Sequence, residues 1–358
     1  MPVKTTWLLS AAAIAISSFG SIAVAQAPPA VQPSQQAAPA QPAYTPTEKR
    51  AQPNLPRTSF GQPSLEGAWG SNWVLPLEAS PRVPMLVVPA AAAKQIAAGY
   101  AKGVGDALDK QLDPEVPETM RQVEGLPTVL GEYRTRAIVI PANGMLPYTA
   151  AGKAELSRGN GIGDLNNPEG RPNWERCVRS LGQPPVFPIG SGNPREIIQT
   201  PNAVVIHTEY GNEARVIPYT DKHKPKMFWD LLGDSIAHWE GNTLVIETIG
   251  LPDRDRVRLF PSFIVSSEAV VTERYTRLAM DELLYQFTVT DPKVYTETWM
   301  GEYSIYPLTG NGRLFEHACH EGNYSMPNIL KGARVLEERK ARAAQTAQAT
   351  PVSAKPAQ

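Results

Sequence analysis

Charge of one sign is missing from this sequence: 34 Lys and Arg stand against 35 Asp and Glu over 358 residues, a formal net charge of −1. So balanced a chain lacks the basic footprint that a nucleic-acid backbone requires, which sets that class of partner aside. Absent too are a G-x-S-x-G elbow, a P-loop, a G-x-G-x-x-G stretch and an H-E-x-x-H pair. Serine-nucleophile hydrolysis, phosphoryl transfer and nicotinamide chemistry therefore lose their usual signatures, and no cofactor is implied. Cysteine is nearly absent, with only Cys177 and Cys319.

Long apolar stretches end early. The first 25 residues carry one charge, Lys4, then the run from Trp7 to Ile16 and Ala23-Val24-Ala25 before Gln26. These features predict a secretory signal peptide over residues 1–25, no transmembrane segment once it is cleaved, and a periplasmic or secreted setting. In an oxidising compartment an even cysteine count favours a Cys177–Cys319 disulfide over a reactive thiol or metal ligand.

Residues 26–63 hold nine prolines among Gln and Ala, and so little apolar bulk predicts a disordered linker. Residues 64–200 read as an irregular, partly helical N-terminal elaboration, with a helix-prone stretch at Ala91 to Lys110 and a strand at Arg136 to Pro141. Residues 201–328 read as a β-barrel domain, 329–342 as a short charged helix and 343–358 as a disordered tail.

The barrel reading rests on strand candidates at 203–210, 213–219, 234–240, 243–249, 267–277, 282–290, 297–308 and 313–319, joined mostly by short turns such as Gly211-Asn212 and Gly241-Asn242. Leu283, Tyr285, Phe287 and Val289 make one apolar face, with Gln286 and Thr288 on the other. A meander of that length leaves edges exposed unless it closes. The fold class expected is mainly β: an eight-stranded up-and-down antiparallel barrel carrying the N-terminal elaboration.

Several stretches resemble a family of secreted bacterial proteins: Arg171 to Cys177, Glu196 to Pro201, Ala214 to Pro218, Gly233-Asp234-Ser235, Trp239 to Thr248, Ser267-Glu268, Thr272-Glu273-Arg274 and Ala318 to Tyr324. The resemblance implies export and supplies no activity. Where members of that family usually have Arg, this chain has His238, and where they often have His it has Gly211. Gly67-Ala68-Trp69 is similar to the G-x-W of lipocalin-like barrels, a likeness that implies a calycin-type architecture.

Candidate chemistry gathers at a few residues. A two-residue turn at Gly211-Asn212 would set Thr208 opposite Arg215, Glu209 opposite Ala214 and His207 opposite Val216. In the next hairpin Ile236 would face Glu247 and His238 would face Val245. Glu247 then sits in an apolar strand, where a buried carboxylate would be prepared for acid/base work, or else lies on a solvated face. Arg215 could hold an anionic or carbonyl-bearing ligand, or pair with Glu268 or Glu273.

The stretch Glu316-His-Ala-Cys-His-Glu-Gly-Asn-Tyr-Ser325 concentrates titratable groups. On a strand, His317 and Cys319 would share one face and Glu316 and His320 the other, which disfavours a zinc site, and no metal is expected. His320, oriented by Glu321 at a barrel mouth, is a candidate acid or base, with Glu247 and Glu209 as further candidates. Trp69, Trp239, Trp299, Tyr285 and Phe287 are candidate walls of an interior ligand cavity. Three functions follow: a binder of one small, largely apolar molecule; a cofactor-independent isomerase, lyase or hydratase; or an envelope interaction protein.

Overall fold

The computed structural model describes residues 54–70, 75–108, 125–158, 166–168, 171, 176–178, 182–187, 193–252, 263–308 and 312–349. The expected signal peptide, residues 26–53 of the expected linker and residues 350–358 of the expected tail lie outside them.

The strands in chain order are β1 (Gly67–Gly70), β2 (Val87–Val88), β3 (Thr128–Val129), β4 (Glu132–Arg134), β5 (Ile138–Ile140), β6 (Arg195–Gln199), β7 (Ala203–Thr208), β8 (Glu213–Pro218), β9 (Asp234–Glu240), β10 (Thr243–Ile249), β11 (Val270–Ala279), β12 (Glu282–Thr290) and β13 (Trp299–Pro307). The helices are α1 (Ala90–Leu108), α2 (Ala150–Arg158) and α3 (Ser325–Ala349). Among the described residues no helix is long and apolar enough to cross a membrane.

One nearly closed, barrel-like sheet dominates, in the order β8-β7-β6-β1-β13-β12-β11-β10-β9, with β5 added on β13. Its strands are rich in Val, Ile, Thr, Tyr and Phe, the residues that suit a pleated, half-buried surface. Every neighbour on that path is antiparallel. Nine strands that alternate in direction begin and end running the same way, so β8 and β9 can meet only in parallel. They do so through a bridge between Tyr219 and Ala237, where the Thr220 N–H donates to the Ala237 carbonyl at 3.2 Å. Parallel neighbours need a long connection, and residues 219–233 supply it, with a 3-10 turn at Lys226–Phe228.

Inside, the expected face of β12 holds: Leu283, Tyr285, Phe287 and Val289 are all fully buried. Phe287 pairs with Gly301 across β13, and its ring lies where a Cβ on residue 301 would come within 2.3 Å. Ring pairs extend the core, with Phe287 edge-on to Trp299 at 5.6 Å, Phe187 at 5.2 Å and Tyr285 against Tyr303 at 5.1 Å. The other face of β12 and β13 is covered as well. There Arg134 of β4 pairs with Glu302 at 3.1 Å, and the Leu130 N–H and Ser304 hydroxyl donate to Glu282 at 3.0 and 2.6 Å. The small sheet β2-β4-β3 thus forms an outer layer, and Gln286, on the face opposite Tyr285 and Phe287, is buried as well.

Five expectations need correction. Residues 313–319 are not a strand; the segment is held by side chains instead, with the Phe315 N–H donating to Glu209 at 2.8 Å and the Gly211 N–H to His317 Nδ1 at 3.1 Å. The places around the sheet are completed by β1 and β6, both from the stretch expected to lie outside the barrel. The β7–β8 hairpin turns from Glu209 to Asn212, whose N–H donates to the Glu209 carbonyl. The register therefore sets Thr208 against Glu213, His207 against Ala214 and Ile206 against Arg215, two residues from the expected one. Residues 54–63 are ordered on the barrel: the Ser64 N–H donates to Pro56 O, and Gln62 accepts from the Tyr219 hydroxyl at 3.1 Å.

Finally, α3 begins before residue 329 and runs past 342. Asn323 Oδ1 accepts from the Ser325 hydroxyl and the Met326 N–H at its start, Pro327 suits a first turn, and the Ala-rich end favours continuation.

Candidate functional site

The β8–β9 seam lacks a full ladder, and one side chain spans it from within. Arg215 of β8 donates through Nη2 to Ser235 of β9 at 3.2 Å, Thr248 of β10 at 3.3 Å and Glu273 of β11 at 2.5 Å. Of the two partners weighed for Arg215, Glu273 is the one it meets. The pair is deeply buried, with side-chain exposures of 3% and 0%. Glu273 also accepts from the Tyr285 hydroxyl at 2.8 Å. Beside it Arg195 donates to Tyr303 at 3.2 Å and stands over the Tyr285 ring, 5.5 Å from its centroid. Among the described residues Arg215 Nε and Nη1 and Arg195 Nε have no hydrogen-bond partner.

This polar core keeps its phenols neutral. Burial first, and then the Glu273 carboxylate, push the Tyr275 and Tyr285 hydroxyls up, while burial pushes Tyr303 up to about 12 against the pull of Arg195. Tyr148 and Tyr306 are also pushed up to about 12 by burial. A phenol whose folded value exceeds its unfolded value of about 10 contributes stability that is complete below pH 10 and is lost as pH rises through the folded value. Alkaline titration followed by circular dichroism is therefore expected to show cooperative unfolding between about pH 10 and 12, with tyrosinate absorbance rising in the same step. Tyrosinate appearing on a chain that stays folded would contradict this.

Outside the seam a cleft of about 620 Å³ opens, lined by Gln62, Pro201, Tyr219, Thr220, Asp221, Ile236, Ala237, His238, Trp239 and Glu247. It lies where the connection leaves β8 beside β9, so the imperfect closure and the concavity have one origin. The expected register of the β9–β10 hairpin is the observed one, Ile236 opposite Glu247 and His238 opposite Val245. Glu247 thereby points outward at the cleft wall with its side chain 46% exposed.

Glu247 is not alone. His223, from the connecting segment, places Nε2 3.2 Å from Glu247 Oε1 and Nδ1 2.8 Å from Asp234 Oδ2. Asp234 is buried and also accepts from the Lys224 N–H at 2.9 Å, with Lys224 Nζ at 3.6 Å from its other oxygen. An imidazole with a carboxylate at each nitrogen can donate to both when it carries two protons. The row Asp234–His223–Glu247 thus links a buried anion to the cleft wall, and it can hold or pass a proton there. Among the described residues no group of His, Cys, Asp and Glu is arranged to hold a metal ion.

The remaining expected residues are dispersed. Trp69, Tyr285, Phe287 and Trp299 belong to the buried core, each at most 2% exposed. Trp239 alone of the expected walls reaches the cleft. Glu209 accepts from the Phe315 backbone. Cys177 and Cys319 form a disulfide, Cα to Cα 5.6 Å. Just beyond it His320 and Glu321 are exposed, and their side chains do not bond to each other. His223, Asp234, Asp221 and Tyr219 were not singled out by sequence reasoning as site residues; only the stretch Gly233-Asp234-Ser235 carried a signal, and it gave no role. No protein-family model and no curated protein matches the chain.

Proposed function

We propose that this is an exported protein that binds one small, largely apolar molecule, and that it does so in the seam cleft rather than in the barrel interior. The observation that carries this reading is the cleft itself. Its volume of about 620 Å³ falls within the range of about 300–1,000 Å³ usual for small-molecule sites. Its walls combine Trp239, Tyr219, Ile236, Ala237 and Pro201 with the polar Gln62, Thr220, Asp221, His238 and Glu247, apolar surface to take a ligand and polar groups to orient it. The disulfide supports the exported setting.

A neutral apolar fluorophore such as N-phenyl-1-naphthylamine tests the site. Titration into the protein is expected to enhance its emission, and Trp239→Ala to weaken binding about tenfold, the loss of one large aromatic contact. Equal affinity in Trp239→Ala and in Thr220→Arg, which fills the cleft, would overturn the assignment.

A second reading is favoured by the Asp234–His223–Glu247 row: proton transfer on the bound molecule, as in a cofactor-independent isomerase, lyase or hydratase. In that case Glu247 moves the proton and His223 positions it. Once a substrate is in hand, Glu247→Gln should lower kcat by about 10²-fold or more with little change in binding. Unaltered turnover would remove this reading and leave the binder.

A further inference from the structure

Charge is distributed unevenly around the cleft. Its lining includes two carboxylates, Asp221 and Glu247, and no Lys or Arg. Glu247 Oε1 is engaged by His223, while its Oε2 has no partner among the described residues. Asp221 is exposed and likewise makes no ion pair among the described residues. Of the nearby cations, Lys224 lies against Asp234 and Arg274 pairs with Glu240 at 2.9 Å, while Lys222, next to Asp221 in sequence, does not line the cleft. His238, which also lines the cleft, holds its Nε2 3.2 Å from the same Glu240. The cleft lining also includes Trp239 and Tyr219, and burial pushes the Tyr219 hydroxyl up, so it stays a neutral phenol whose ring keeps its electron-rich face.

From this arrangement, and resting on the seam cleft as the binding site, we propose that the preferred ligand is an organic cation: a protonated amine or quaternary ammonium group on an apolar body. Aromatic faces attract such a charge through the ring quadrupole. A carboxylate within a few ångströms adds a Coulomb attraction that water weakens without abolishing. A purely apolar ligand gains nothing from Asp221 and the second oxygen of Glu247 and takes some water from them, so it should bind in the same cleft but more weakly than a cation of the same shape. An anionic ligand would face both carboxylates directly. The apolar lining then takes the body of the molecule, while the carboxylate rim selects its charged head.

A matched set of probes tests this on the intact protein: benzyltrimethylammonium, its uncharged carbon isostere neopentylbenzene, and phenylacetate. Binding is read from the indole NH shift of Trp239, assigned with Trp239→Phe, in NMR titrations at low salt. The cation is expected to bind at least tenfold more tightly than the isostere, and phenylacetate not to bind measurably. That preference should shrink in Asp221→Asn/Glu247→Gln and as ionic strength rises, because exposed charges are screened. Equal binding of cation and isostere would overturn the inference while keeping the cleft as an apolar site, as would a preference that survives both substitutions. Failure of every probe to move the Trp239 signal would overturn the inference and the cleft reading together.

Discussion

Glu273→Gln is expected to destabilise the fold by about 3–5 kcal/mol, because it leaves the Arg215 guanidinium buried with no carboxylate. The change is nearly isosteric, so the loss is electrostatic. The Gln side chain cannot match a charge-assisted contact of 2.5 Å, and Tyr285 loses its anionic acceptor as well. Denaturant unfolding of the purified variant measures the loss. The pair is not expected to be the best stabiliser of its own site: Arg215→Met with Glu273→Leu removes both charges and should recover most of the difference. A single variant as stable as the parent chain would show that the seam does not depend on this contact.

Removing the Cys177–Cys319 bridge is the second large effect. The bond closes a loop with a sequence separation of 142, and the chain-entropy relation gives about 5 kcal/mol for a loop of that size, chiefly by restricting the unfolded chain. Cys177→Ser/Cys319→Ser should therefore unfold at a much lower denaturant concentration, and reductant should lower the midpoint of the parent chain alone. Coincident curves for the parent with and without reductant would contradict this. The barrel ladder itself contains neither cysteine, so the expected loss arises with no strand pairing removed.

How much of this was legible in the sequence differs from one hairpin to the next. The β9–β10 register followed from Gly241-Asn242 because flanking apolar residues fix both sides of a two-residue turn. Gly211-Asn212 has the same composition, yet the reversal starts at Glu209, with Gly211 and Asn212 at φ of +80° and +52°. Composition marked the turn but not its length. β1 is four residues, Gly-Ala-Trp-Gly, too short for any periodicity, and partners distant in sequence decide its place. Glu247 could be picked out as a carboxylate in an apolar strand. His223 could not, since Asp-Lys-His-Lys-Pro-Lys reads as a solvated loop and only the crossover brings it to Asp234 and Glu247. Density along the chain misled at 316–321, where the crowded histidines and glutamates spread onto an exposed turn.

The position of β1 bears on the order of synthesis. It is bonded to β6 on one edge and to β13 on the other, with Trp69 opposite both Arg195 and Pro307. It is among the first strands to leave the ribosome, yet one of its two partners is the last strand made. A chain halted before residue 299 would thus yield not a smaller barrel but an open arrangement, β6–β8 with β1 attached and β9–β12, meeting only at the β8–β9 seam. Closure depends on contacts between the extremes of the domain, the kind that slows folding most. The finished barrel is therefore a property of the whole chain, assembled only after translation has passed Pro307.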